Sequence, residues 1–294
     1  PDRVTGSAPR DGAGSPGRAE GRAGCSLGSE QAYGLCAGAR AEEGRAVSRL
    51  SVVTLARDEE RNIVDCLRSV EWADERLVVL DPRTTDRTGE LAREAGARVV
   101  ERTFTDFADQ HQAALSLARY DWVLSLDADE RVTPELAQEV REAIGRESPV
   151  GWWVPRHNII WGREIRHAGW YPDYQLRLMR RDRARYDPGR PVHELVILDG
   201  EAGYLRNALV HYNYRTVGEF LRKQDHYAAL HARALRAAGV RPRWRSLLGQ
   251  PAREFWRRFV TLEGYRDGGH GLLLSVLVAY YQGVAYWRLR ERRD

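Results

Sequence analysis

The first sustained apolar block of the chain is Leu50–Ala56, L-S-V-V-T-L-A. A strand covered on both faces reads as a nearly continuous apolar run and not as an alternation, so this block predicts a buried strand. A charged turn, Arg57-Asp58-Glu59-Glu60, follows, and Ile63, Cys66, Leu67 and Val70 then recur at helical spacing. Residues 76–80 give the next strand, stopped by Asp81-Pro82. Thr84, Thr85 and Asp86 supply capping oxygens for a helix through Ala95, and Gly96 ends it. Residues 97–100 read as a third strand, 107–118 as a helix and 122–126, W-V-L-S-L, as a fourth strand, before a helix started by Thr133-Pro134. Strands repeating about every 25 residues with a helix between them predict right-handed βαβ units in a mainly parallel α/β sheet, with helices on both faces.

The pattern then changes. Residues 151–155 and 175–179 read as strands, the second alternating as a half-exposed strand does, and residues 156–173 between them form a long loop rich in Trp, His and Arg. Residues 216–238 give an amphipathic helix with Phe220, Tyr227 and Leu230 on one side. Residues 272–287 are uncharged and apolar, short of the roughly 20 residues that span a bilayer, and are flanked by arginines. Such a helix lies in a membrane interface, or packs on the catalytic domain. Residues 1–47 hold ten of the 27 glycines and no apolar block, which predicts disorder. The organisation expected is a tail at 1–47, an α/β domain at 48–215 (a first half at 48–131, a second at 150–215) and a basic helical segment at 216–294.

The net charge of +4 is unevenly placed: residues 233–294 hold thirteen arginines and five acids, or +8, which leaves −4 for the remainder. This favours an anionic partner at the C-terminal end, such as the inner face of the plasma membrane. No nucleic-acid recognition motif accompanies it. Cys25, Cys36 and Cys66 lack disulfide or zinc spacing, which fits a reducing cytoplasm.

Acidic residues mark three of the four strand ends: Asp58 and Glu59, then Asp81, then Asp127 and Asp129. That edge is where open α/β sheets hold ligands. If the strand persists, Asp127 and Asp129 leave it on the same side, an oxygen-only pair suited to Mg²⁺ or Mn²⁺ shared with substrate phosphates. Neither G-x-G-x-x-G nor a P-loop occurs. Arg57, Glu59, Asp81 and Asp127 are therefore candidate donor contacts. His211, after a strand-like segment, is a candidate to complete the metal shell with Asp129, and His193 is another. Trp170, Tyr171 and Arg177 are candidates for acceptor and diphosphate contacts, since indole and guanidinium groups suit sugar faces and phosphates.

The ordered set L-S-V-V-T-L-A-R-D-E-E, L-V-V-L-D-P-R-T-T-D-R-T and D-W-V-L-S-L-D-A-D-E resembles the nucleotide-sugar half of the inverting family 2 glycosyltransferases, with their GT-A fold. The continuation G-W-Y-P-D-Y-Q-L-R-L-M-R-R, R-P-V-H-E and L-V-H-Y-N-Y-R is similar to the branch containing the lipopolysaccharide inner-core glucosyltransferases. The resemblance implies transfer of a hexose from a nucleotide-sugar, a UDP-sugar, to a lipid-linked or lipopolysaccharide-type glycan with inversion. It also places an acidic base in the second half of the fold, for which Asp173 is the candidate and Glu194 the alternative. One departure stands out: Pro82-Arg83-Thr84 replace the small residues the family carries after its second strand. A catalytically silent nucleotide- or membrane-binding module is the rival reading.

Overall fold

The structure, a computed structural model, describes residues 48–187, 196–241 and 243–291. The expected tail at 1–47 and the residues Arg190, His193 and Glu194 lie outside the described residues. The first half follows the apolar pattern closely: β1 (Leu50–Ala56), α1 (Ile63–Arg68), β2 (Glu75–Leu80), α2 (Thr88–Glu94), β3 (Arg98–Glu101), α3 (Phe107–Leu117) and β4 (Trp122–Ser125). One boundary differs, because α2 begins at Thr88, later than the capping oxygens suggested. Two of those oxygens are engaged elsewhere, Thr84 Oγ1 donating to the Asp81 carbonyl at 2.6 Å and Thr85 Oγ1 to Asp58 Oδ1 at 3.1 Å, while Asp86 Oδ1 accepts from the amide of Thr88, the first residue of the helix, at 2.9 Å.

The short β5 (Glu130–Arg131) and α4 (Pro134–Ile144) lead into the second half, which brings β6 (Gly151–Val154), β7 (Arg156–Ile160), β8 (Arg163–Ile165), β9 (Gln175–Arg180), β10 (Ala184–Tyr186), β11 (Val196–Leu198), β12 (Ala202–Tyr204) and β13 (Leu209–Tyr214). The main sheet runs β12-β6-β9-β4-β1-β2-β3, parallel from β4 to β3 and antiparallel only where β9 pairs with β4 and β6. Alternate residues of β1 serve opposite faces: Val52 packs with Cys66 of α1 and Leu136 of α4, and Val53 with Ala114 and Leu115 of α3. Burial on both faces is what made these strands read as continuous apolar runs.

Two expectations fail in the second half. β9 is an interior strand with Leu178 and Met179 fully buried, not a half-exposed one. The 156–173 loop is for the most part a hairpin of β7 and β8, turned by Trp161 (φ 52°) and Gly162 (φ 76°). Positive φ at both central residues is the geometry favoured for two-residue hairpins, but Trp-Gly is not a usual signature of it. This hairpin joins a second sheet, β5-β13-β7-β8. The C-terminal part folds as α5 (Val217–Ala237), α6 (Trp244–Trp256) and α7 (Gly268–Glu291). Leu274 of α7 and Phe220 of α5 are fully buried against Ile160, Ile165 and Tyr214 of the second sheet. No described helix is long and apolar enough to cross a membrane.

Candidate active site

The carboxyl ends of β1 and β2 open into a cavity of about 360 Å³ whose lining includes Arg57, Glu59, Asp81, Phe104, Phe107 and Gln110. Asp81 is buried, and Arg83 folds back over it with Nη2 2.6 Å from Oδ2. Hydrogen bonds from Arg83, against the opposing effect of burial, hold the Asp81 carboxyl down at about 2. Arg57 stands further off, 3.9 Å from Asp81 Oδ2. Glu59 borders this cavity and a second one; burial, with Asp129 and Asp86 nearby, pushes its carboxyl up despite a hydrogen bond from Asn62. Phe104 and Phe107 were not legible as site residues, since nothing in F-T-D-F distinguishes a pocket wall from core.

Asp127 and Asp129 do not point the same way. β4 ends at Ser125, and residues 127–130 close a turn in which the Glu130 amide donates to the Asp127 carbonyl at 2.9 Å. Strand alternation therefore stops before the two carboxylates. Asp127 is ion-paired with Arg177, and Asp129 turns to β13, with Oδ2 3.5 Å from His211 Nε2. Arg177 was expected to reach a diphosphate. It is instead nearly buried, joined to Asp127 and, at 2.8 Å, to the fully buried Glu130. Burial raises the Asp127 carboxyl, but the Arg177 charge outweighs that and holds it at about 2.

From Glu130 the network continues inward. Arg156 donates to Glu130 Oε1 at 3.1 Å and to Asp173 Oδ2 at 2.6 Å. Asp173 also accepts from Asn158 Nδ2 (3.3 Å) and Gln175 Nε2 (2.9 Å). Partial burial raises the Asp173 carboxyl, and Arg156 more than reverses it, so Asp173 is ionised at neutral pH. Register explains the convergence: Glu130 of β5 pairs with His211 of β13, which pairs with Asn158 of β7, so three adjacent strands present these residues in one row. Glu130, Arg156 and Asn158 were missed in the sequence. Their signal, polar residues inside strands, becomes legible only once the strands are paired.

The same row places a proton on His211 Nδ1. Asn158 Nδ2 donates to the Trp170 carbonyl at 2.8 Å, so its Oδ1 must accept the 2.8 Å contact from His211 Nδ1. His211 Nδ1 then carries a proton, and Nε2 is the ring nitrogen that faces Asp129, 3.5 Å from Oδ2. With the neutral imidazole this nitrogen and the carboxylate would suit a divalent cation whose other ligands are substrate oxygens. The third expected ligand, Asp127, is held by Arg177 instead. Among the described residues no group of three or more His, Cys, Asp or Glu converges as a metal site.

Asp129 also lines a second cavity of about 430 Å³, bordered by Tyr212, Arg215, Arg222 and Lys223. Lys223, the only lysine of the chain, stands on α5 with Nζ 5.1 Å from the Tyr214 ring centre. Of the expected acceptor contacts, Tyr171 is exposed at the edge of the His157 ring, whereas Trp170 packs into the second core beneath Arg258, 5.8 Å from its ring centre.

A mainly parallel sheet ending in carboxylates, backed by a smaller sheet that supplies His211 and hydrogen-bonds through Asn158 and Arg156 to the ionised Asp173 just before β9, defines a GT-A-type transferase. Residues 51–212 match the glycosyl transferase family 2 profile, and the chain belongs to that family. It is 28% identical over 250 residues to a lipopolysaccharide core biosynthesis glycosyltransferase, LpsC, of Rhizobium meliloti strain 1021, covering 83% of this chain and 92% of that one. Among solved structures it is similar to S. aureus TarS 1-349 in complex with UDP (14% identity, TM-score 0.45, covering 83% of this chain and 93% of that one). It is also similar to glucosyl-3-phosphoglycerate synthase from Mycobacterium tuberculosis in complex with Mn²⁺, UDP and glucosyl-3-phosphoglycerate (17% identity, TM-score 0.43, 66% and 81%).

Proposed function

We propose that this glycosyltransferase moves a hexose from a UDP-sugar to a lipid-linked or lipopolysaccharide-type glycan with inversion at the anomeric carbon. The observation that carries the reading is the continuous chain from Asp129 through His211 and Asn158 to Asp173, which ties a cation-holding pair to an ionised carboxylate across one row of strands. Asp173 takes the proton from the acceptor hydroxyl as that oxygen attacks; Oδ2 is filled by Arg156 and Asn158, and Oδ1, with one donor, retains a lone pair for the purpose. Asp129 and His211 would hold Mg²⁺ or Mn²⁺, and such an ion would supply positive charge beside the departing diphosphate. Arg222 and Lys223 face the same cavity and add fixed positive charge. The similarity to LpsC supports an envelope-glycan acceptor.

Peripheral attachment to an anionic membrane belongs to the same reading. Trp244, Leu248 and Trp256 on α6 and Leu273, Val276, Tyr280 and Trp287 on α7 are exposed, and α6 carries Arg245 and Arg253 and is flanked by Arg243 and Arg257. A transfer assay with UDP-sugars and lipid-extract acceptors tests the whole. Asp129→Ala and His211→Ala should each abolish cation-dependent transfer while the fold survives, and full activity of either variant in chelator would sink the metal role. Wild type should pellet with anionic vesicles at low salt and release partly as arginine contacts are screened; indifference to vesicles would remove the membrane part.

A further inference from the structure

The carboxyl edge of the main sheet continues past Asp173. β4 and β6 both run antiparallel to β9, and β12 runs parallel to β6, so Trp153 of β6 and Tyr204, the last residue of β12, lie toward the same edge as Asp81 and Asp127. Tyr174, the residue before β9, meets them there. Alternation decides the face. Trp152 packs into the core with Leu136 of α4, so Trp153 turns to the opposite side of the sheet. Tyr204 is the register partner of Trp153, and Tyr174 stands two residues from Leu176, which also pairs with Trp153.

The three rings accordingly gather. Trp153 and Tyr204 stack with centres 6.3 Å apart and planes 18° from parallel, and Tyr174 crosses Tyr204 at 5.1 Å and 88°. They nevertheless remain in solvent, Tyr204 at 62% exposure and Tyr174 at 37%. Clustered aromatic area left open on a folded surface marks a place where something else lies. The chemistry of the rings selects the occupant. A pyranose presents a face of C–H groups that lies flat on an aromatic ring, with hydroxyls at its rim, and tyrosine offers both an apolar face and a hydroxyl that donates or accepts. An anionic lipid headgroup calls for positive charge, which none of the three side chains carries. Position agrees with this. Asp173 directly precedes Tyr174, about 3.8 Å away along the chain, and the two flank the end of β9 on opposite faces. A glycan whose reacting hydroxyl meets Asp173 has further rings, and one that crosses the end of β9 arrives at Tyr204.

We propose that Tyr204, seated on Trp153 and crossed by Tyr174, is a binding platform for a neutral sugar ring of the acceptor glycan, adjoining the ring that reacts. The inference rests on the reading of Asp173 as the base, and it makes the acceptor an oligosaccharide recognised over more than one sugar.

Titration of wild type, Tyr204→Ala and Tyr174→Ala with the core oligosaccharide released from lipopolysaccharide by mild acid, followed by saturation-transfer NMR, tests it without any donor; UDP titration in Mn²⁺ runs beside it. Wild type should bind the oligosaccharide more tightly than methyl glucoside. Tyr204→Ala should lose about tenfold in oligosaccharide affinity, the effect of one aromatic contact with its buried area, and Tyr174→Ala should share the loss. Tyr204→Phe, which keeps the ring face, should bind nearly as wild type does. In transfer assays the loss should appear in the acceptor KM and not in kcat, the pattern of binding shared by ground and transition states. Unchanged oligosaccharide affinity in both alanine variants overturns the proposal, as does a wild type that binds methyl glucoside equally well. A Tyr204→Ala that loses UDP affinity in parallel, or loses vesicle binding in place of oligosaccharide binding, overturns it too. Binding of UDP without any oligosaccharide binding would leave the glycosyltransferase reading standing and this inference refuted. Absence of UDP binding by wild type would refute both.

Discussion

The two halves of the molecule use charge differently. At the end of β2, Asp81 meets Arg83 two residues away, and the guanidinium is half exposed. Beside the second sheet, Glu130 meets Arg177 and Arg156 across 47 and 26 residues of chain, and no part of the Glu130 side chain reaches solvent. A local pair can be exchanged without moving the fold. A pair assembled from three strands is part of what holds those strands in register, and it positions Asp173 at the same time.

The largest effect that would sharpen this contrast is on turnover. Asp173→Asn should lower transfer by roughly 10²- to 10⁴-fold, the contribution of a general base, with UDP and cation binding retained. An active Asp173→Asn together with a dead Glu194→Gln would move the base to the alternative residue. Next in size is Glu130→Gln, which leaves Arg177 and Arg156 without their shared buried carboxylate. Breaking a buried pair from one side costs about 3–5 kcal/mol, so urea denaturation should show a loss of that order. A loss within about 0.5 kcal/mol, the range of ordinary surface substitutions, would mean that the region around the second sheet is no more dependent on its charges than the end of β2.

The same contrast explains what was legible. The strands β1 to β4 announce themselves because each is apolar on both faces, and the strand-end positions of Asp81, Asp127 and Asp129 follow from where the runs stop. Pairing partners are not written along the chain. Asp127 and Asp129 diverge because a turn replaces the strand end, and the row Glu130–His211–Asn158 depends on registers between residues 81 and 53 apart in the chain. The β7–β8 hairpin was hidden by a Trp-Gly turn, and Arg177 looked like a phosphate ligand because its two carboxylate partners come from another strand end. Lys223 carried one faint signal, its being the only lysine among 46 basic residues.

A third prediction concerns whether the C-terminal helices belong to the acceptor half. Leu274 is fully buried with Ile160, Ile165 and Phe220. Leu274→Ala should therefore cost about 2–5 kcal/mol, whereas Leu273→Ala on the exposed side of the same helix should cost little and weaken vesicle binding instead. Equal, small losses for both would detach α7 from the core and leave it a purely membrane-facing helix. For the same reason deletion of residues 271–294 removes core along with any membrane contact.

The smallest effect lies at the seam between the halves, where Asp127 of the nucleotide side meets Arg177 of β9. Its carboxyl titrates at about 2 in the folded protein, below the ordinary aspartate value. A carboxylate whose pKa is depressed by folding contributes stability that is fully present above the unfolded pKa, about 3.9, and is lost as pH falls toward the folded value. The Asp127 side chain is 41% exposed, so solvent screening limits the contribution to about 1 kcal/mol or less. Arg177 also keeps Glu130 when Asp127 is neutralised, which bounds the loss further. Urea midpoints of wild type and Asp127→Asn should therefore differ slightly at pH 7 and converge as pH falls from about 4 toward 2. A gap that widened in acid would give the interaction the wrong sign, and a gap of several kcal/mol at pH 7 would make the seam as dependent on buried charge as the network around Glu130.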